Sequence, residues 1–228
     1  PHQIAMVLNN AILLLEHSEY LQVFAEELRS LLPRLGTSMH LRCLLTLVQL
    51  ESQQSEKYIG EEPFRELSEE AKKCGQVNLE ALAHILHWYH YCNFSDITEE
   101  SGRIFLITFQ KLTTYTPHQQ LGHIYSIIGD IHEVLGNTEL AIEYFHKSIQ
   151  EAQKSGQILL HASNLEQLYL TLPNEEGKEY ARKAVTLLNS ISCQASSDYT
   201  RGQAAKRTRS IGNNLIRDAI DNQMWDEA

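Results

Sequence analysis

The stretch from Gly122 to Gln157, GHIYSIIGDIHEVLGNTELAIEYFHKSIQEAQKSGQ, decides how the rest of the chain is read. Its first half places Tyr125, Ile128 and His132 at spacings of three and four, with Gly122 and Gly129 on the same side, so this face of a helix can approach another closely. Gly136-Asn137 ends that helix. Asn137 or Thr138 caps a second one, whose apolar stripe is Ala141, Ile142, Phe145, Ile149 and Ala152, and Gly156 stops it. Two helices joined by so short a turn run antiparallel and pack on each other, but one hairpin cannot bury both of its apolar faces. The stretch therefore predicts neighbours of the same kind.

Those neighbours are visible as a repeat. Glycines at 36, 75 and 156 act as stops, and the 75-to-156 interval leaves room for one more boundary near Tyr115 to Pro117, which sets a period of about 40 residues. Segments 70–82, EAKKCGQVNLEAL, and 151–163, EAQKSGQILLHAS, agree without a gap at Glu, Ala, Lys, Gly, Gln, Leu and Ala. Ser18-Glu19 falls in register with Thr138-Glu139. The expected fold class is thus all-α: an α-solenoid of about five antiparallel helix pairs in a single domain spanning 1–228. The repeats cover about 1–36, 37–75, 76–115, 116–156 and 157–193, and a capping helix covers 198–223. Asp96 is the expected N-cap of the second helix of pair three, and Pro63 and Pro117 suit first-turn positions. The last helix offers Ala205, Ile211, Leu215, Ile216, Ala219 and Ile220 as one apolar stripe over the open end. Apolar residues nowhere alternate as they do in strands.

Composition narrows the function. The chain has 228 residues, 43% hydrophobic and 21% charged, which suits a folded protein with a substantial core. Its longest apolar runs, such as Ala11–Leu15, are far below the roughly 18 residues a membrane span needs. No charged-then-apolar signal segment opens the chain. Four scattered cysteines, 43, 74, 92 and 193, read as free thiols in a reducing compartment, the cytoplasm or nucleus. A net charge of −10 argues against nucleic-acid binding and favours a basic or amphipathic protein or peptide partner. The basic patch Arg201, Lys206, Arg207 and Arg209 has no interleaved aromatics and reads as a solvated face or a contact for an acidic partner.

The central stretch resembles the tetratricopeptide repeat. Tyr125 stands at that family's large residue, Ile128-Gly129 at its Leu-Gly pair, Gly136-Asn137 at its turn, Ala141 at its first alanine and Phe145 at its aromatic. His132, Thr138 and Ser148 depart from the pattern. Pair two matches through Gly60, Phe64 and Leu67, and pair five through Ala162, Leu165, Gly177, Ala181 and Ala184. The repeats here exceed the family's usual 34 residues by about a helical turn per helix, as in the extended version found in cargo-binding scaffolds and bacterial peptide-sensing regulators. The resemblance implies a superhelix whose first helices line a concave, peptide-binding groove.

Carried over residue by residue, the groove positions are His123, Ser126, Ile127, Asp130 and Glu133 in pair four and Ser163, Glu166, Gln167 and Leu170 in pair five. Pair three admits two registers. One buries Ala81, His84 and Trp88; the other buries Leu82, Ile85, Tyr89 and Cys92 and turns His87 and His90 to the groove. The second is preferred, because histidines packed in a core without partners are costly.

No catalytic, cofactor or metal set emerges. His84, His87 and His90 step about 60° around a helix at each interval of three, forming an oblique ridge rather than a convergent site. IHEVLGN at 131–137 lacks the second histidine of a zinc-protease motif, and there is no phosphate loop or nucleophile elbow. The expected function is a non-enzymatic scaffold holding a partner's peptide or helix. The alternative is the peptide-sensing repeat domain of a bacterial-type transcriptional or phosphatase regulator.

Overall fold

The computed structural model describes residues 1–14, 20–172, 175–194 and 198–221. All regular structure among them is helical. The chain divides into two compact units, Pro1–Thr98 and Glu99–Ala228. The first holds α1 (His2–Leu14), α2 (Leu21–Leu31), a 3₁₀ turn (Leu32–Arg34), α3 (Thr37–Gln54), α4 (Glu62–Lys73) and α5 (Val77–Phe94). The second holds α6 (Glu99–Leu112), α7 (His118–Val134), α8 (Thr138–Ser155), α9 (Ile158–Thr171), α10 (Glu175–Gln194) and α11 (Asp198–Asp221). Helices α5 and α6, the two halves of the expected third pair, thus fall in different units. Within each unit consecutive helices pack on one another. Residues 15–19, where Ser18 is expected to open a helix, lie outside the described residues, as do Pro173 and Asn174.

The repeat is written most plainly in the backbone of its turns. Gly75, Gly136 and Gly156 take φ of +65°, +74° and +69°, a left-handed conformation that only glycine enters without steric cost. In each case the glycine N–H bonds the carbonyl three residues back, and the next N–H reaches back five: Gln76 to Ala71, Asn137 to His132 and Gln157 to Ala152, all at 2.8 Å. This is the Schellman arrangement, which satisfies the carbonyls a helix end would otherwise leave open. A new helix starts immediately after each turn. Asn137 does occupy the cap position of α8, yet its side chain makes no capping bond. Gly36 serves differently, at φ −69° as the cap residue of α3, with its N–H donated to His2 Nε2 at 3.0 Å. Asp96 is not a cap, since α6 begins only at Glu99.

Packing in the second unit centres on α7 and α8. The Phe145 ring lies within 2.6 Å of where a Cβ on Gly129 would be. The fully buried Ser148 hydroxyl donates to the Gly122 carbonyl at 2.7 Å. Small residues on α7 therefore let the two helices approach closely, and His132 stacks on Tyr144 with ring centroids 5.5 Å apart. The core continues through Ala162, Leu165 and Leu168 of α9, Ala181, Ala184 and Leu188 of α10, and Ala204 and Ile211 of α11. The stripe on α11 is rotated from the expected one. Ala204 is buried in place of Ala205, Leu215 packs against the core, and Ile216 is exposed. The side chains of Ala219 and Ile220 lie outside the described ones.

In the first unit, Ala5, Leu21, Ala25, Leu28, Cys43 and Leu47 tie α1, α2 and α3 together, and Leu44, Val48, Phe64, Leu67 and Ala83 tie α3, α4 and α5. The preferred register of α5 is overturned here. Ala81, Trp88 and His90 are buried, while Tyr89 and Cys92 are exposed; of the residues the preferred register buries, only Ile85 is buried. The reason is that the histidines do have partners. His84 Nε2 meets Ser68 Oγ at 2.9 Å, His87 Nε2 meets the Tyr58 hydroxyl at 2.6 Å, and His90 Nε2 accepts from the Ile59 N–H at 3.1 Å. Phe64 stacks on His87 with centroids 5.1 Å apart. An imidazole with one nitrogen paired and an aromatic face beside it is tolerated in a core, so the penalty that favoured the other register is reduced, His90 Nδ1 being the buried atom left without a partner.

Candidate functional site

Helices α7 and α9 carry most of the expected groove residues and lie side by side. Three hydrogen bonds tie them at offsets of 37 or 38 residues: Gln157 Nε2 to the Gln119 carbonyl at 2.7 Å, Gln167 Nε2 to Asp130 Oδ1 at 3.0 Å, and Thr171 Oγ1 to Glu133 Oε1 at 3.1 Å. A nearly constant offset along the helices means that they run parallel. Successive first helices of a repeat do so when each is followed by an antiparallel return.

The face these bonds cross is polar and of unusual charge. Neither α7 nor α9 contains a lysine or arginine, yet they present Asp130, Glu133 and Glu166. On the second helices the opposite holds: Lys147, Lys154 and Lys178 pair with Glu143, Glu151 and Glu175 at 2.6, 2.7 and 2.8 Å. Burial of the Asp130 carboxyl pushes its pKa up to about 7, with the Gln167 bond opposing and Glu133 adding to the rise. Burial also raises Glu166, and Arg207 of α11 counteracts part of that. A desolvated carboxylate held by one neutral amide is a poor arrangement for stability and a good one for receiving a cation.

The other expected residues divide. Ser163, Glu166 and Gln167 are half-buried on this face and Leu170 is exposed beside them. His123 is half-buried, its Nδ1 has no hydrogen-bond partner, and burial lowers its pKa. Ser126 and Ile127 do not reach the surface, at 6% and 0% exposure. Helix α7 packs against α6, α8 and α9 at once, so its exposed stripe is narrower than the carried-over positions assumed. His87 and His90 belong to the first unit, where they pack against Tyr58, Ile59 and Phe64, and not to this face. Arg207 is not the solvated side chain that its basic neighbourhood in the sequence predicts, because its Nη1 is buried without a hydrogen-bond partner. Its tertiary placement sets it near enough to Glu166 to counteract part of the rise in that carboxyl's pKa.

Among the described residues no group of three or more His, Cys, Asp or Glu could hold a metal ion, and no helix is long and apolar enough to cross a membrane. No protein-family model matches the chain, and no curated protein matches it either.

Proposed function

We propose that the second unit is a non-enzymatic binding module that holds a basic peptide segment of a partner protein along α7 and α9. The observation that carries this reading is Asp130: a desolvated carboxylate on a face with three acids and no lysine or arginine on either helix. A lysine or arginine of the partner seated there replaces lost solvation with a charge-assisted hydrogen bond, and Gln167, Glu133 and Thr171 stand ready as further polar partners. The parallel offset of α7 and α9 and the three turns of one pattern support placing the chain with the tetratricopeptide-like solenoids it resembles, whose first helices line the groove.

The reading is tested by fluorescence anisotropy with labelled lysine- and arginine-containing peptides, together with affinity capture from the native cell. Wild type should bind the basic peptides, and Asp130→Arg with Glu133→Arg should abolish both that binding and the captured partner. If the double variant folds normally and keeps every native interaction, the face is not the binding site. Affinity should also rise between pH 6 and 8, because the proton on Asp130 must leave before the cation pairs with it.

A further inference from the structure

On the other side of the second unit, α8 and α10 stand apart over α9 and leave a cleft of about 570 Å³. Its floor is apolar, made by Ile149, Leu165 and Leu187. The volume lies within the range of built binding sites, roughly 300–1,000 Å³. Along α8 it runs from His146 to Gln153, about 10 Å, and along α10 from Glu179 to Ser190, about 16 Å. Those lengths match two to three turns of a helix laid into the cleft.

The rim is positive in a chain that is otherwise acidic. Among the described residues that line the cleft, Arg182 and Lys183 are the fixed cations and Glu179 is the one carboxylate. Both cations share it, at 3.9 and 3.6 Å, whereas the other lysines of α8 and α10 hold a glutamate of their own at 2.6 to 2.8 Å. Both are more than half exposed. Tyr180 adds a hydroxyl that lies 3.5 Å from His146 Nε2 and donates to Glu176 Oε1 at 3.4 Å, both long contacts. The cleft therefore combines an apolar floor with loosely held donors and one surplus positive charge.

This site is separate from the α7–α9 face. At about 100° per residue, His161 and Leu165 leave α9 on one side, and Ser163, Glu166, Gln167 and Leu170 leave it on the other. We propose that the α8–α10 cleft docks an acidic amphipathic helix of a partner, its apolar side chains on Ile149, Leu165 and Leu187 and its carboxylates on Arg182 and Lys183. The occupant is set by complementarity: the floor asks for apolar anchors one turn apart, and the rim asks for acids beside them.

The probe is a fluorescein-labelled helical peptide with leucines at i, i+4 and i+7 and glutamates between them, compared with its counterpart carrying lysine at each glutamate. With Asp130→Arg and Glu133→Arg in every chain tested, so that the α7–α9 face takes no basic peptide, the acidic peptide should bind at about micromolar concentration and the lysine counterpart at least about tenfold more weakly. Arg182→Glu with Lys183→Glu, both at exposed positions, should reverse that order. Thr186→Trp, which fills the cleft from its rim and leaves the charges in place, should abolish binding of the acidic peptide. Circular dichroism checks that both variants keep the wild-type helix content and melting transition. Equal binding of the two peptides, an affinity indifferent to the charge reversal, binding that survives Thr186→Trp, or no binding at about millimolar peptide would each overturn the proposal.

Discussion

Replacing Asp130 by asparagine should make this protein more stable at pH 8 and leave it almost unchanged at pH 4. The side chain keeps its shape and its Oδ1, so the bond from Gln167 Nε2 survives. What is lost is an ionisable carboxyl whose folded pKa is raised by burial from 3.8 to about 7. Between those values the folded state holds a proton that the unfolded chain has released, so wild-type stability is full below about pH 4 and declines as pH rises to 7. At 1.36 kcal/mol per pH unit, the rise from 3.8 to about 7 corresponds to at most about 4 kcal/mol, and solvent reaching the carboxylate reduces this to about 2–4 kcal/mol. Urea unfolding followed by circular dichroism at pH 4, 6 and 8 measures the difference directly. An advantage of the Asp130→Asn variant that grows with pH supports the argument. A variant less stable than wild type at pH 8, or a difference that does not change with pH, refutes it. The same substitution should flatten the pH dependence of basic-peptide binding, since no proton need then be displaced.

Other perturbations follow from the packing. Gly129→Ala puts a Cβ into the Phe145 ring, and overpacking of this kind should destabilise the second unit by about 1–3 kcal/mol; thermal unfolding measures it, and Phe145→Leu in the same chain should recover part of the loss. Ser148→Ala removes the hydroxyl that donates to the Gly122 carbonyl between α7 and α8 and should lower stability by about 0.5–1.5 kcal/mol by urea titration, while Ser190→Ala on the exposed side of α10 should change it by under about 0.5. His84 and His87 have pKa values pushed down to about 4 by burial, so the first unit should be most stable above about pH 6.5 and lose stability as pH falls toward 4. Proton NMR of the two rings tests this, and titration of either above pH 6 would contradict it.

The legible part of this chain was its local geometry. Gly75, Gly136 and Gly156 announced three helix stops, and each is a left-handed Schellman turn closed by hydrogen bonds reaching at most five residues back. First helices beginning at Thr37, Val77, His118 and Ile158 follow from the same period. Asp130, Glu133, Glu166 and Gln167 came from the family resemblance carried over residue by residue, and helical spacing placed them off the apolar stripe, which is readable without knowing what covers it. Ser126 and Ile127 failed because the width of that stripe depends on how many helices surround α7.

The histidines show the boundary most clearly. Periodicity alone allowed two rotations of α5, and the choice rested on whether His84, His87 and His90 had partners. Those partners, Ser68, Tyr58 and Ile59, lie 16, 29 and 31 residues away, beyond any spacing rule. The amino-acid order by itself thus determined where helices start and stop, since turn glycines and apolar periods act through bonds spanning a few residues. Which side of a helix is core, which acid is desolvated and where a cleft opens were decided only by tertiary packing, because burial is a property of neighbours the local sequence does not contain.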